Sequence, residues 1–305
     1  MGKVIRIGTR ESQLAVWQAN LVKDLLEQHG HTSELVFIKS EGDIDLKTPL
    51  YEIGVQGIFT KALDIALLNN EIDIAVHSMK DVPTMMAKGI KQAAVLQRAS
   101  YKDILVPRPG ETYTDNNGPS LIATSSIRRK AQWLHRYPND NIENLRGNVN
   151  TRLRKVAESN WDGAIFAAAG LERIGLRPEN AVELNWMLPA PAQGAIIVVC
   201  RDNDAYCTDA CAQFHDADTS LCAGIERDFL RVLLGGCSTP ISALAKIEDG
   251  HVVFQGNILS RDGKQKKEII KKMSIKEAPN TGAEAAKELL ANGGQAILDS
   301  IRNEN

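Results

Sequence analysis

The sequence predicts an α/β protein: two α/β domains with mainly parallel sheets, followed by a small α+β C-terminal domain with an antiparallel sheet. Three observations predict it. Short apolar runs alternate with amphipathic helical patterns from residue 3 to residue 200, the pattern of layered α/β folds. Asp-Gly pairs at 249–250 and 262–263 separate alternating runs near the C-terminus, and two-residue hairpin turns favour such pairs because they need positive φ. A chain of 305 residues, 43% hydrophobic and 24% charged, is long enough for more than one core.

Residues 3–8 read as a strand, and Ser12 opens a helix whose Leu14, Trp17, Leu21, Val22, Leu25 and Leu26 follow the 3.6-residue period. The unit recurs, with strands predicted at 35–39, 72–77, 121–123 and 164–168 and helices at 59–68 and 127–136. A further buried strand, 195–200, follows the Pro-rich connection 188–194. Beyond residue 217 the pattern predicts a helix over 220–234, strands over 241–247, 252–259 and 267–273, and a last helix over 281–302.

The net charge is -2, and no apolar run approaches the ~18 residues that span a bilayer. The first residues enter a strand pattern without the apolar core of a signal peptide, so the expected location is the cytoplasm. There the five cysteines, odd in number and without a CxxC pair, are expected as thiols. The charge is uneven: between Thr124 and Arg177 ten Lys or Arg face five acids. Such a cluster is either a solvated face or an anion site. The lack of interleaved aromatics and the slightly acidic total argue against nucleic acid.

Local patterns favour an anion. Gly8-Thr9-Arg10-Glu11-Ser12 and Ala123-Thr124-Ser125-Ser126 each join a strand to a helix N-terminus, where free N–H groups and the dipole attract negative charge. Ser12 and Ser126 also serve as ordinary N-caps. Arg128 and Arg129, however, fall in a first helical turn, where cations oppose the dipole unless an anion is bound. Arg146 and Arg152 flank a Gly147-Asn148 turn, and Arg173 follows Ala167-Ala168-Ala169-Gly170, so several strand-end loops carry guanidinium groups toward one expected cleft.

Asp81, in His77-Ser78-Met79-Lys80-Asp81-Val82-Pro83 at the end of a strand, reads either as a buried carboxylate tuned for acid-base work or as a loop acid, and His77 as a packed strand residue. Cys207-x3-Cys211-x3-His215 lacks a fourth ligand, and no metal is expected. Cys237 follows Gly235-Gly236 and precedes Pro240, which places its thiol on a tight loop. With no histidine base in sight, it reads as an attachment point.

These motifs, His77 to Pro83, Thr124 to Arg129, Leu145 to Arg152 and Gly235-Gly236-Cys237, resemble the porphobilinogen deaminase (hydroxymethylbilane synthase) family in order and along the whole chain. The resemblance implies an enzyme of tetrapyrrole and haem biosynthesis, a transferase that joins four porphobilinogen molecules head to tail with loss of ammonia. Its dipyrromethane cofactor would be held by Cys237 through a thioether, and hydrolysis would release hydroxymethylbilane. It implies Asp81 as the catalytic carboxylate that stabilises the cation formed as ammonia leaves. Lys80, Ser78, Thr124, Ser125, Ser126, Arg128, Arg129, Arg146 and Gly147 would hold the cofactor; Arg10, Ser12, Gln18, Phe59, Arg152, Arg173 and Gln193 would hold substrate. Gln56 stands where many members have lysine, in a 52–59 loop that can act as a lid.

The domains would be 1–98 with 195–217, then 99–194, then 218–305, the first two resembling periplasmic binding proteins and moving relative to each other in a monomer that needs no nucleic acid or membrane. Two other readings stay open: an anion-binding protein without catalysis, and a thiol-dependent transferase with a free Cys237.

Overall fold

The computed structural model describes residues 3–39, 60–114, 118–233 and 239–303. The chain forms two compact units, one from described residues of 3–99 and 194–220, the other from those of 100–193 and 221–303.

Strands of the first unit are β1 (Ile5–Thr9), β2 (Ser33–Phe37), β3 (Ile74–Ser78) and β4 (Ile90–Val95). The second unit adds β5 (Asp103–Val106), β6 (Leu121–Ala123), β7 (Asn141–Glu143), β8 (Gly163–Ala167) and β9 (Val182–Glu183). Then β10 (Ile196–Arg201) returns to the first unit. The first sheet has the order β2-β1-β3-β10-β4, with β1 parallel to β2 and β3, and β10 antiparallel to β3 and β4. The second, β7-β6-β8-β5-β9, repeats this scheme: β6 is parallel to β7 and β8, and β5 antiparallel to β8 and β9. In each sheet four of five strands run one way, and the exception is the first strand formed after the chain crosses over from the other unit. Strand β10 is buried from Ile196 to Cys200 because its neighbours cover both edges and helices both faces.

Helices α1 (Gln13–Gln28) and α2 (Lys61–Leu68) belong to the first sheet, and α3 (Ile127–Arg136), α4 (Val149–Glu158) and α5 (Ala168–Glu172) to the second. Ser12, Ser126 and Asn148 cap α1, α3 and α4 with side-chain oxygens. The second sheet has a core on each face, one around Phe166 and Leu171, the other around Trp133, Leu105 and Met187.

Helices α6 (Ala205–Ala212) and α7 (Ala217–Val232) lead to the antiparallel meander β11 (Ile241–Glu248), β12 (His251–Leu259) and β13 (Lys266–Ser274). Its core centres on Phe229 and Phe254, whose rings meet at 5.2 Å. Gly256 makes that contact possible, since a Cβ there would lie 2.6 Å from Phe229 Cζ. The predicted single C-terminal helix is two, α8 (Thr281–Leu289) and α9 (Gln295–Asn303), because Gly293 takes φ 98° between them. Strands β4, β5, β7 and β9 and helices α4, α5 and α6 were not anticipated; β9, of two residues, and α5, of five, are too short to show a period.

The cysteine ladder is packing. Cys200, Cys207 and Cys211 lie in the apolar core of the first unit, burial pushes the Cys207 thiol up to about 12, and His215 Nδ1 accepts from Val95 N at 3.0 Å. Among the described residues no helix is long and apolar enough to cross a membrane.

Candidate active site

In the first unit the strand-to-helix junctions build a pocket. Strand β1 hands the chain through Arg10 and Glu11 to Ser12, whose Oγ accepts from Ala15 N at 3.4 Å. Strand β3 ends at Ser78 and turns at once through a single 3-10 turn, Met79–Asp81, anchored where Met79 N donates to Ala195 O at 3.0 Å. The pocket between them is lined by Arg10, Ser12, Gln18, Thr60, His77, Ser78 and Asp81 over an apolar wall of Leu14, Ala15 and Val76. Gln18 is buried and donates through Nε2 to Ser78 Oγ at 2.8 Å.

Asp81 is exposed, so of its two readings the loop acid holds and the buried carboxylate does not. The 3-10 turn sends Met79 inward and leaves Lys80 and Asp81 outside. His77 is the buried titratable group instead. Burial, reinforced by Arg10, lowers its pKa to about 4, and its Nε2 has no hydrogen-bond partner among the described residues. A histidine that read as packing thus forms part of the pocket wall as a neutral ring.

In the second unit the β6-to-α3 junction is the topological counterpart of the β1-to-α1 junction. Thr124 N donates to Glu143 O at 2.8 Å, and its Oγ1 accepts from Ser126 N at 3.2 Å. Ser125 Oγ sits against Asn144 Oδ1 at 2.6 Å and the Leu145 carbonyl. Arg128 and Arg129 are both buried around one carboxylate, Asp103. Arg128 Nη2 donates to Asp103 Oδ2 and Arg129 Nη2 to Oδ1, each at 2.7 Å. Burial would raise the Asp103 carboxyl, yet the two guanidiniums and Gln193 bring it down to about 2. The anion that this first turn serves within the chain is therefore Asp103, which sequence reasoning missed. The available signal was an acid opening an otherwise apolar strand ahead of an Arg-Arg pair.

Further along, Gly147 holds φ 116° between Arg146 and the α4 cap Asn148, and Arg152 Nε donates back to Gly147 O at 2.7 Å. Arg146 is buried, with its carbonyl accepting from Lys155 Nζ at 3.1 Å. Arg173 follows α5, and burial, opposed by Glu172, lowers its pKa to about 10, so it stays charged at neutral pH. Gln193 is fully buried and donates through Nε2 to Tyr101 O at 2.8 Å and Asp103 Oδ1 at 3.0 Å. Cys237, Phe59 and the rest of the 52–59 loop lie outside the described residues.

The family model described as "Porphobilinogen deaminase, dipyromethane cofactor binding domain" matches residues 5–209, and "Porphobilinogen deaminase, C-terminal domain" matches 220–291. The chain belongs to the porphobilinogen deaminase family. The chain is 40% identical to the porphobilinogen deaminase of Pelobacter propionicus over 97% of each protein. Identity to that of Syntrophomonas wolfei is 40% over 98% of this chain and 99% of the relative. A chloroplastic porphobilinogen deaminase from Pisum sativum is also 40% identical, over 97% of this chain and 84% of its own length. Members of the deaminase family are enzymes with a dipyrromethane cofactor, and the donor set suits such a group: carboxylate-bearing pyrroles call for guanidinium forks and hydroxyls.

Proposed function

We propose that the chain is a transferase that condenses four porphobilinogen molecules, one at a time, on a dipyrromethane held by Cys237, and then releases hydroxymethylbilane by hydrolysis. The observation that carries this reading is the pocket at the end of β1 and β3, where Arg10, Ser12, Gln18, Ser78 and Asp81, all expected from sequence, line one cavity. Each condensation forms one carbon–carbon bond between pyrroles, with ammonia and one pyrrole proton as the groups lost. When bound, the dipyrromethane supplies the electron-rich pyrrole carbon to which the first substrate is joined.

The residues of the chain then have separable roles. Arg10 and the capped N-terminus of α1 attract a substrate carboxylate. The Asp81 carboxylate, exposed in the open pocket, accepts from the pyrrole N–H and offsets the positive charge that develops on the substrate as ammonia departs. Lys80, beside it, offers a cation to a neighbouring carboxylate. In the second unit Thr124, Ser125, Ser126, Arg128, Arg129, Arg146 and Gly147 would hold the cofactor carboxylates, and Arg152 and Arg173 those of the growing chain. Gln193 would contribute through Asp103. We also take 1–98 with 195–217, 99–194 and 218–305 as the domains, the last supported by its own core around Phe229 and Phe254. We also take one chain as the working unit.

The test is the denatured intact mass of the purified protein beside a Cys237→Ser variant, because a thioether survives unfolding. The expected result is an added mass matching two linked pyrroles, absent from the variant. A bare chain that stays unloaded after incubation with porphobilinogen would overturn the reading in favour of anion binding without catalysis.

A further inference from the structure

We propose that Asp103 is a positioning residue for the reaction: it sets the orientation of Arg128 and Arg129, so that these arginines meet the carboxylates of cofactor and substrate as one pre-formed edge. The assignment rests on the deaminase reading for what the arginines bind; the geometry is the chain's own.

Asp103 opens β5 and is 0% exposed. Its Oδ2 takes Arg128 Nη2, and its Oδ1 takes both Arg129 Nη2 and Arg129 Nε, the latter at 3.1 Å. A backbone carbonyl fixes each guanidinium from a second direction: Leu188 O accepts from Arg128 Nη1 and Ile165 O from Arg129 Nη1, both at 2.8 Å. Three of the five N–H groups of Arg129 and two of those of Arg128 are thereby engaged within the protein. Both planes are determined, and the remaining N–H groups face a direction the protein has chosen in advance. Preset donors of this kind lose little orientational freedom when an anion arrives.

Charge supports the same role. Two guanidiniums within reach of a single carboxylate carry one net positive charge between them. Without Asp103 they would be two like charges in a buried site, and one would have to turn away. Burial already lowers Arg128, with Asp103 opposing and Arg129 adding to the shift.

The carboxylate is also held from the other side. Gln193 joins Asp103 Oδ1, and its neighbour Ala192 sits at φ 60°, an unusual conformation for alanine. Buried Glu226 of α7 fixes that residue by accepting from Ala192 N at 2.6 Å and from Ala245 N at 2.7 Å. Backbone strain persists only where the surroundings over-determine it. The over-determined segment ends on the atom that orients the arginines.

The experiment compares wild type, Asp103→Asn, Arg129→Gln and the double variant. It reads the dipyrromethane-loaded fraction by denatured mass, kcat and KM for porphobilinogen, and the thermal midpoint. Asparagine keeps the shape but accepts through one oxygen and carries no charge. The expected result for Asp103→Asn is a folded protein whose loaded fraction falls and whose KM rises about 10-fold or more, with a smaller change in kcat. The double variant is expected to lose less than the product of the single losses, because Asp103 acts through the arginine. Wild-type loading and KM in Asp103→Asn, whatever its thermal midpoint, would overturn the proposal and leave a purely structural ion cluster. If Asp103→Asn does not fold, the double variant, which lacks one carboxylate and one guanidinium, decides by comparison with Arg129→Gln alone: a further fall in loading with a raised KM supports the proposal, because Arg128 has lost the carboxylate that orients it, and equal loading and KM overturn it. A wild-type protein without dipyrromethane or turnover would instead remove the deaminase reading itself.

Discussion

Gln18 Nε2 donates to Ser78 Oγ across 2.8 Å, which ties α1 to the last residue of β3, directly before the turn that carries Asp81. Gln18 is 3% exposed, so water does not substitute for it freely. Gln18→Leu is expected to keep the packing and lose the bond. A half-buried hydroxyl deprived of its donor costs at most about 1 kcal/mol, and the freed turn should lower kcat/KM for porphobilinogen about 10-fold. Denaturant melts beside steady-state kinetics check both. Unchanged kinetics with lowered stability would restrict Gln18 to packing.

Asp81→Asn separates charge from shape. Asp81 is exposed, so the substitution should change stability by no more than about 0.5 kcal/mol. Removing a preorganised group aimed at developing charge typically costs about 100- to 1,000-fold in kcat. Single-turnover rates at saturating porphobilinogen are expected to fall by that amount with KM little changed. A loss confined to KM would make Asp81 a binding group.

The fold class and, in the first unit, Arg10, Ser12 and Asp81 were legible from local signals, namely an apolar strand, a hydroxyl cap and a charged turn, whereas Gln18 and Ser78 came from the resemblance to the deaminase family. Arg10, Ser12, Gln18, Ser78 and Asp81 line one pocket because two neighbouring parallel strands, β1 and β3, end at the same edge. What escaped depends on partners distant in sequence. Asp103 is 25 and 26 residues from the arginines it joins, and 90 from Gln193. His77 read as a packed strand residue and is buried, but its place in the pocket wall beside Arg10 follows from sheet pairing and is not encoded around residue 77. That two like α/β domains follow one another came with the resemblance; the strand order they share was hidden, since it lies in connection order and not in residue identity.

Two buried groups give separate pH windows. The His77 pKa falls to about 4 from an ordinary 6.5, so between those values the unfolded chain binds a proton that the folded chain refuses. Its contribution is complete above pH 6.5 and is lost as pH falls to 4, on the order of 3 kcal/mol in all. Asp103, held at about 2 against an ordinary 3.8, contributes above pH 3.8 and loses that contribution as pH falls through 2. Asp64, raised by burial to about 6, gains stability as pH falls through the upper window and offsets His77, so urea unfolding from pH 7 to 3 reads the His77 contribution as the difference between wild type and His77→Asn. That difference should appear in the upper window and be constant in the lower one. A slope unchanged in the variant would mean that His77 is protonated alike in both states.

Gly147→Ala tests the loop between Arg146 and Arg152. The residue holds φ 116°, and an added Cβ would lie 2.7 Å from Thr151 Cγ2, so the substitution meets both a forbidden dihedral and a clash. Such strain costs on the order of 1–3 kcal/mol. The loop can relieve it only by moving the Gly147 carbonyl that orients Arg152 Nε or the Asn148 cap on α4. The expected result is a lower thermal midpoint together with a reduced dipyrromethane-loaded fraction by denatured mass. Thr151→Gly in the same background removes both atoms that the added Cβ would meet, Cγ2 and the Cβ at 2.8 Å, without touching the dihedral at 147. Partial recovery of stability with no recovery of loading would place the requirement in the backbone conformation that presents Arg146 and Arg152; full recovery of both would place it in the clash; and a fully loaded Gly147→Ala protein would show that this loop is not needed to hold the cofactor.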